Sequence, residues 1–309
     1  MRVLLLGSTG QVGSELARAL LPIAEVVAPV RPQVDAADLD SLRAVFVAAR
    51  PDVVVNAAAY TAVDRAEDEP ERARRVNADA PGLLARLAHE HGASLIHYST
   101  DYVFDGRRDG AYVETDATNP LSVYGRTKLE GEDRVRASGC AHLILRTSWV
   151  YAAHGHNFVR TMLRLARERQ TLSIVDDQVG SPTWARAIAE ATAAILSRAG
   201  HDRESVRAAL AERGGLFHLT CAGAVSWCGF AQAIFEAIPD NERALQSLAP
   251  ISAAQYPSRA SRPLNSRLSC ELLARVWHVA LPEWKCALQL AAREFRPACE
   301  IRPAHPKRA

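Results

Sequence analysis

Short apolar runs alternate with longer amphipathic segments through the first half of the chain. The apolar runs are continuous, which is typical of strands covered on both faces. The longer segments place apolar residues three or four positions apart, as on one face of a helix. The predicted strands are residues 3–6, 25–30, 53–55, 94–98 and 142–147, and the predicted helices are residues 13–21, 40–50, 70–91 and 123–138.

Strands and helices that alternate in this way predict βαβ units and a parallel sheet. We therefore expect an α/β fold with a Rossmann-like, doubly wound parallel sheet whose two faces are covered by helices. Beyond residue 150 the pattern is less regular. The predicted helices there are residues 157–169, 184–198, 226–237 and 282–295, the strands are 172–175 and 216–219, and 250–269 is predicted to be an ordered loop.

These two patterns predict two domains. Residues 1–150 form a nucleotide-binding domain, to which later segments can return, and residues 151–295 form mainly a smaller C-terminal α/β substrate domain. Residues 296–309 contain three prolines and little apolar material, and we expect a flexible tail there.

Composition excludes several classes of function. The 309 residues carry 37 basic and 35 acidic side chains, a net charge of +2, so no basic excess favours nucleic acid. Their 48% hydrophobic content excludes a disordered chain, and no apolar run is long enough to cross a bilayer. Six cysteines without a CxxC pair indicate reduced thiols. We expect a cytoplasmic protein, either a monomer or a homodimer, with no membrane or nucleic-acid partner.

A glycine-rich turn follows the first predicted strand and opens the first predicted helix. It has the pattern G-x-x-G-x-x-G, formed by Gly7, Gly10 and Gly13, with Gln11 and Val12 between the last two. Such a turn lets the backbone approach a pyrophosphate, and the helix N-terminus offers unpaired N–H groups. The sequence therefore predicts a dinucleotide site at this turn.

The end of the second predicted strand indicates which dinucleotide is bound. Arg31 stands there, and the first acidic residue is Asp35. An arginine suits the 2′-phosphate of NADPH, whereas a carboxylate at the strand end would bind the ribose of NADH. NADPH is the predicted cofactor, with NADH left open, and a solvated loop charge is the other interpretation of Arg31. Asp35 and Ala36 lie where adenine could be contacted.

A tyrosine and a lysine stand four residues apart on a predicted helix. Tyr124 and Lys128 therefore share one helix face, and the chain has only three lysines in all. An ammonium near a phenol lowers the phenol's pKa, and such a phenol can protonate a carbonyl oxygen while hydride reaches the carbon. Thr100, just after a predicted strand, could hydrogen-bond the same oxygen. We predict a catalytic triad of Thr100, Tyr124 and Lys128.

Several long stretches carry a family resemblance: LLLGSTGQVG (4–13), PDVVVNAAAYTAVDRAE (51–67), HYSTDYVFDG (97–106), NPLSVYGRTKLEGE (119–132), LRTSWVY (145–151) and SRPLNSRL (261–268). The chain resembles the extended short-chain dehydrogenase/reductases and, within them, the dTDP-4-dehydrorhamnose reductase family. The resemblance implies NADPH-dependent reduction of the C4 keto group of a dTDP-sugar, dTDP-4-dehydro-L-rhamnose, in the last step of dTDP-rhamnose synthesis.

The resemblance also implies roles for single residues. Tyr124 would be the general acid, Lys128 would hold the nicotinamide ribose, and Thr100 would complete the triad. The cofactor would further contact Gly10, Gln11, Val12, Ala57, Ala58, Ala59, Thr61 and Tyr98. The substrate would contact Thr100, Asp101, Tyr102, Trp149, Arg262 and Asn265, with Arg267 as a second arginine suited to its diphosphate.

Two positions depart from related patterns. Related dehydratases carry a glutamate base where this chain has Tyr102, which favours simple ketone reduction. Some family members form dimers through magnesium held by glutamates. Glu15 and Glu294 match two of these, but Arg186 stands at the third position and cannot bind a cation. We therefore predict no metal site.

Two other functions stay open at this point. One is a different sugar-nucleotide reductase or epimerase, because the sugar pocket lies in the half of the chain with the weaker pattern. The other is a non-catalytic NADP-binding subunit, like the regulatory subunit of methionine adenosyltransferase, which this family resembles. The intact Tyr124–Lys128 pair argues against the second.

Overall fold

The computed structural model describes residues 1–295. The strands are β1 Arg2–Leu6, β2 Glu25–Val27, β3 Val53–Asn56, β4 Ser94–Thr100, β5 His142–Thr147, β6 Val150–Tyr151, β7 Thr171–Val175, β8 Val179–Gly180, β9 Thr183–Trp184, β10 Gly215–His218, β11 Val225–Ser226 and β12 Ser247–Ile251. The α-helices are α1 Gln11–Ala19, α2 Leu39–Ala49, α3 Val63–Ala66, α4 Pro70–Arg74, α5 Ala80–Glu90, α6 Val123–Arg136, α7 Phe158–Glu168, α8 Ala185–Ala199, α9 Arg203–Arg213, α10 Trp227–Ala237, α11 Glu271–Trp277 and α12 Trp284–Phe295.

The main sheet has six parallel strands in the order β2-β1-β3-β4-β5-β10. The strand order reverses between β1 and β3, because the chain moves outward to β2 and then crosses back. A crevice opens beyond the carboxyl ends of the strands at such a reversal. The predicted phosphate-binding turn follows β1, and the segment from Ala57 follows β3, so both border this crevice. The predicted Rossmann-like parallel sheet is confirmed.

Successive residues of the central strands enter two separate hydrophobic cores. Val3 and Leu5 of β1 pack on one face of the sheet, whereas Leu4 and Leu6 pack on the other. Neighbouring side chains of a strand point to opposite faces, and both faces here are covered by helices. This arrangement explains why the strands are continuous apolar runs.

Segments after residue 150 contribute to the same sheet. β10 pairs with β5, and α8 packs against α1. The remaining strands form three two-stranded sheets, β7 with β12, β8 with β11 and β6 with β9. Later segments thus return to the first domain, and the boundary at residue 150 stays a prediction. Within residues 1–295, no helix is long and apolar enough to cross a membrane.

Several local features differ from the sequence prediction. The predicted helix over 70–91 is divided into α4 and α5 by a π-helical turn, Arg75–Asp79. Helices α3, α9 and α11 and the short strands β6, β8, β9 and β11 were not predicted. Pro250 lies in β12, so the loop predicted from that residue was wrong at its start. Proline is tolerated there because β12 is an edge strand, paired only with β7. The predicted tail, 296–309, lies outside the described residues.

Candidate active site

The glycine-rich turn packs directly on the chain that follows β3. Gly7 has φ +78°, and a Cβ at this position would lie 2.6 Å from the backbone nitrogen of Ala58. The Gly10 N–H donates to the Gly7 carbonyl across 2.9 Å. Helix α1 then begins after Gly10 without a side-chain cap. Its first N–H groups are left for a ligand, as an anion site at a helix N-terminus requires.

One half of the crevice fits the adenosine end of a dinucleotide. It is a cleft of about 520 Å³ bordered by the turn, by Arg31 and Ala36, and by the segment from Ala57 to Ala59. Arg31 lies at the rim with its side chain 73% exposed and 3.6 Å from the Asp35 carboxylate. Asp35 accepts a hydrogen bond from the Ala37 N–H across 3.0 Å and does not border the cleft. Of the predicted adenine contacts, Ala36 is therefore the one placed in it.

The other half brings the predicted catalytic residues together. A cleft of about 550 Å³ is bordered by Thr100 at the end of β4 and by Tyr124 and Lys128 on α6. Ser122 caps this helix by accepting a hydrogen bond from the Gly125 N–H. The other predicted residues that border the same cleft are Gly10, Gln11, Val12, Ala57, Ala59, Thr61, Tyr98, Asp101, Tyr102 and Trp149. The phosphate turn and the triad thus share one continuous crevice.

Lys128 is anchored to β4 rather than to Tyr124. Its side chain is buried, and Nζ donates to the Tyr98 carbonyl across 2.5 Å. Nζ also lies 3.3 Å from Nε2 of His97. Burial lowers the pKa of Lys128 to about 8, and the Glu132 carboxylate partly opposes this change.

Tyr124 differs from the sequence expectation in its acidity. Burial raises the pKa of its phenol to about 12, the nearby Thr100 hydroxyl lowers it and the Asp101 carboxylate raises it. The expected lowering of this pKa by Lys128 was wrong, since burial raises it and Nζ is directed to the Tyr98 carbonyl. The tyrosine therefore holds its proton at neutral pH, which is the form that a general acid needs.

A hydrogen-bonded group surrounds the buried Asp101 carboxylate. The Thr100 hydroxyl donates to Oδ1 across 3.0 Å and the Ser148 hydroxyl donates to Oδ2 across 3.1 Å. Burial raises the pKa of Asp101 to about 6 against these hydrogen bonds. Tyr102 meets Tyr124 edge to face, with ring centroids 5.7 Å apart. Burial and the Asp101 carboxylate raise the pKa of Tyr102, so this phenol is a poor base.

Two stacked tryptophans form the wall facing the triad. The rings of Trp149 and Trp227 lie 3.4 Å apart between centroids and are inclined by 4°. Trp149 has φ +48°, and Gly180 makes room for it because a Cβ there would lie 2.5 Å from its ring. Trp149 was predicted at the substrate, whereas Trp227 and His156, which border the same cleft, were not. Trp227 is the first residue of α10, and no local motif marks it.

The predicted nucleotide-end residues form a layer beside the cleft. Arg262 Nη2 donates to the Asp64 carboxylate across 2.6 Å. The Asn265 amide is buried, donates to the carbonyls of Arg108 and Gly110, and accepts from Arg267 Nε. None of these three predicted residues borders the described cleft, and their contact with substrate stays a prediction.

The three residues compared with a metal site do not fit a metal ion. Arg186 Nε lies 3.0 Å from a Glu15 oxygen, and its Nη1 lies 2.5 Å from a Glu294 oxygen. The guanidinium thus occupies the position between the carboxylates and supplies the positive charge itself. Within residues 1–295, no cluster of three or more histidine, cysteine, aspartate or glutamate side chains is placed to hold a metal.

Comparison with known proteins agrees with this geometry. The family model described as the RmlD substrate binding domain matches residues 1–296. A dTDP-4-dehydrorhamnose reductase of Burkholderia thailandensis is 47% identical, covering 96% of this chain and 99% of the relative. One from Salmonella typhimurium is 45% identical over 96% and 98% of the two chains. 

Solved structures show the same similarity. A Bacillus anthracis dTDP-4-dehydrorhamnose reductase in complex with NADP has a TM-score of 0.84 and 31% identity, with 95% of this chain and 99% of that one covered. The Clostridium acetobutylicum dTDP-4-dehydrorhamnose reductase gives a TM-score of 0.85 and 34% identity over 95% and 99%. The chain belongs to the dTDP-4-dehydrorhamnose reductase family, of the RmlD substrate-binding type.

Proposed function

We propose that this protein catalyses the NADPH-dependent reduction of dTDP-4-dehydro-L-rhamnose to dTDP-L-rhamnose, the last step of dTDP-rhamnose synthesis. The observation that carries the proposal is the shared crevice, which Thr100, Tyr124 and Lys128 border together with the start of α1, a helix without a side-chain cap. The relatives named for this reaction match the chain over almost its whole length, which supports the choice of substrate.

The hydride that the C4 carbonyl carbon of the sugar accepts would come from NADPH bound in this crevice. Tyr124 gives its phenolic proton to the carbonyl oxygen, so the keto group becomes a hydroxyl. Its raised pKa keeps that proton in place until charge develops on the oxygen. Thr100 holds the same oxygen, and Lys128 binds the ribose of the cofactor and favours the phenolate formed after proton transfer.

The neighbouring residues hold the two ligands. The N–H groups at the start of α1 bind the pyrophosphate, and Arg31 at the rim binds the 2′-phosphate. Trp149, on its stack with Trp227, packs against the sugar. Arg262 reaches the diphosphate by exchanging its bond with Asp64 for one with the ligand.

Tyr102 favours ketone reduction over reactions that begin with removal of a sugar proton. Its pKa is raised, so the phenol keeps its proton at neutral pH and cannot replace the glutamate base of a dehydratase. Arg186 pairs with both Glu15 and Glu294, which supports the absence of a metal ion between them. The protein would then be a monomer, or a homodimer that no metal bridges.

The direct test follows NADPH absorbance with enzymatically generated dTDP-4-dehydro-L-rhamnose, with NADH in parallel. We expect oxidation that requires both protein and sugar, with NADPH preferred. If NADPH binds but a verified substrate is not reduced, the reductase proposal is wrong. A panel of other keto-sugar nucleotides would then distinguish a different reductase from a non-catalytic binding subunit.

A further inference from the structure

A buried histidine lies directly behind the catalytic lysine. His97 is on β4 and is 1% exposed. Its Nε2 lies 3.3 Å from Lys128 Nζ, and its Nδ1 lies 3.2 Å from the Asn56 amide nitrogen. Asn56, the last residue of β3, is 2% exposed. The three side chains therefore form a line from β3 through β4 to α6, shielded from solvent.

The Asn56 amide has one orientation in this line. Its Oδ1 accepts a hydrogen bond from the Ala58 N–H across 3.2 Å, which leaves the NH₂ group directed at His97. Reversing the amide would place its NH₂ against the Ala58 N–H and break that bond. The Asn56 NH₂ group thus makes Nδ1 of His97 an acceptor, in competition with the Asn56 backbone carbonyl, which favours a hydrogen on the ring.

Burial keeps the pKa of His97 well below its usual value. The ring is neutral and holds a single N–H. Since Nδ1 is an acceptor, this hydrogen is on Nε2 and points at Lys128 Nζ. A neutral amine accepts that hydrogen bond with its lone pair, whereas an ammonium would direct one N–H against another.

We propose that Asn56 and His97 are positioning residues that favour the neutral amine of Lys128 in the cofactor-free protein. Protonation of Lys128 requires the His97 hydrogen to move to Nδ1, where it meets the Asn56 NH₂ group. The cost of this rearrangement is added to the cost of burying the ammonium. Asn56 and His97 thus set the pH at which Lys128 gains its charge.

The other ionisable groups around Lys128 have partners of their own. Glu132, one turn further along α6, is bonded to Arg146 and Ser99. On the elements packed against α6, Asp79 pairs with Arg134, Arg74 with Glu130, and Asp64 with Arg262. The ionisable side chains that share the described cleft with Lys128 are Tyr98, Asp101, Tyr102, Tyr124 and His156. In the described residues, His97 is the ionisable side chain whose polar atom lies within hydrogen-bond distance of Nζ.

The inference rests on the proposed role of Lys128, but its test needs neither cofactor nor turnover. The chain has only three lysines, Lys128, Lys285 and Lys307, so protein labelled with ¹³C-lysine gives three Cε signals. Arginine variants of Lys285 and Lys307 assign them. Titration of the cofactor-free protein by NMR should show the Lys128 midpoint at least about one pH unit below the ordinary lysine value of about 10.4.

Two variants change the hydrogen-bond pattern without removing Lys128. Asn56→Asp keeps an acceptor for the Ala58 N–H and gives His97 Nδ1–H a carboxylate, which leaves Nε2 free to accept from an ammonium. His97→Gln offers Lys128 an amide oxygen in the Nε2 position. Both should raise the Lys128 midpoint by about one pH unit or more. Asn77→Asp is the matched control, because Asn77 is fully buried and bonds Thr127 of α6 without contacting His97.

A measurement on the wild-type protein tests the proposal even if the variants fail to fold. Two-bond ¹H–¹⁵N correlation distinguishes the two histidine tautomers, and we expect the His97 hydrogen on Nε2. A hydrogen on Nδ1 would overturn the proposal. A Lys128 midpoint near the ordinary lysine value of about 10.4, or a shift in Asn77→Asp as large as in Asn56→Asp, would also overturn it. Failure of NADPH oxidation alone would count against the proposed function and leave these signals unchanged.

Discussion

Thr100 donates its hydroxyl hydrogen to the carboxylate of Asp101 across 3.0 Å, and the same hydroxyl oxygen accepts the Tyr102 N–H across 3.2 Å. The ionised carboxylate therefore orients the threonine that faces Tyr124. Asp101 is 3% exposed, so burial, and not a charged neighbour, dominates its acidity. A residue expected only to contact substrate thus also controls the direction of a catalytic hydroxyl.

This relationship predicts an acid limb in the pH profile. Because the Asp101 pKa is about 6, the acceptor for Thr100 is present above pH 6 and is lost as pH falls through it. We expect kcat/KM of the wild type to decline below about pH 6, and Asp101→Asn to remove that inflection. Initial rates at saturating NADPH between about pH 5 and pH 8 check it. If Asp101→Asn kept the decline below about pH 6, the decline would arise from the titration of another group.

The same carboxyl has a predicted effect on stability. Its pKa is raised on folding, so between about pH 4 and pH 6 the folded state binds more protons than the unfolded state. The contribution of Asp101 to the free energy of unfolding therefore decreases as pH rises through this window. Urea unfolding of the wild type and of Asp101→Asn at both ends of the window measures this contribution. A contribution that increases with pH would contradict a raised pKa for Asp101.

Removing the phenolic hydroxyl should separate catalysis from binding. Tyr124→Phe keeps the ring that meets Tyr102 but loses the proton donor. We expect turnover to fall by about 10²–10⁴-fold, the usual contribution of a general acid, while the NADPH dissociation constant stays near that of the wild type. Stopped-flow rates and cofactor fluorescence give the two quantities. Wild-type turnover in this variant would exclude Tyr124 as the acid.

Arg31 should determine the preference between the two cofactors. Its side chain is 73% exposed at the rim of the adenosine cleft, so its bond to a 2′-phosphate is screened by salt. We expect Arg31→Ala to raise KM for NADPH about tenfold, which corresponds to about 1.4 kcal/mol, and to leave KM for NADH unaffected. Arg43→Ala, exposed on α2 and outside the cleft, is the control. Equal losses with both cofactors would contradict this role.

Sequence patterns predicted the parts of the site that are local in the chain. The turn from Gly7 to Gly13 is one segment between a strand and a helix, and Tyr124 and Lys128 are one helical turn apart. Such pairs are fixed by helix and strand geometry alone. The parallel sheet was predictable for the same reason, because strands buried on both faces leave continuous apolar runs.

The remaining parts depend on contacts between distant segments. The contact between Asn56 and His97 joins residues 41 positions apart, and Trp149 stacks on Trp227 from another element. The raised pKa of Tyr124 also could not be read from the spacing of Tyr124 and Lys128. Burial in the folded cleft and the direction of Lys128 toward the Tyr98 carbonyl decide it.

A methyl group at Gly7 should disturb the cofactor site specifically. Gly7→Ala combines a left-handed backbone, which costs a non-glycine residue about 1–2 kcal/mol, with a Cβ 2.6 Å from Ala58 N. We expect the turn to shift and NADPH affinity to fall by at least about tenfold. Gly92→Ala is the matched control, since Gly92 has φ +67° with nothing within 4 Å of its Cβ position. Gly92→Ala should carry similar backbone strain, so its thermal stability should fall by a similar amount while NADPH binding is retained.

The buried ion pair between Glu132 of α6 and Arg146 of β5 should be the most sensitive charge pair in the described chain. Glu132 accepts from Arg146 Nε across 2.8 Å and from Nη2 across 2.6 Å, and both side chains are almost completely buried. Glu132→Gln leaves the Arg146 charge without a partner in the core, so we expect the free energy of unfolding to fall by about 3–5 kcal/mol. Glu130→Gln, on the same helix with a 35% exposed side chain, should cost less than about 1 kcal/mol. Urea unfolding at pH 7 compares the two variants. Similar decreases in the free energy of unfolding would show that burial does not determine how much the Glu132–Arg146 pair stabilises the protein.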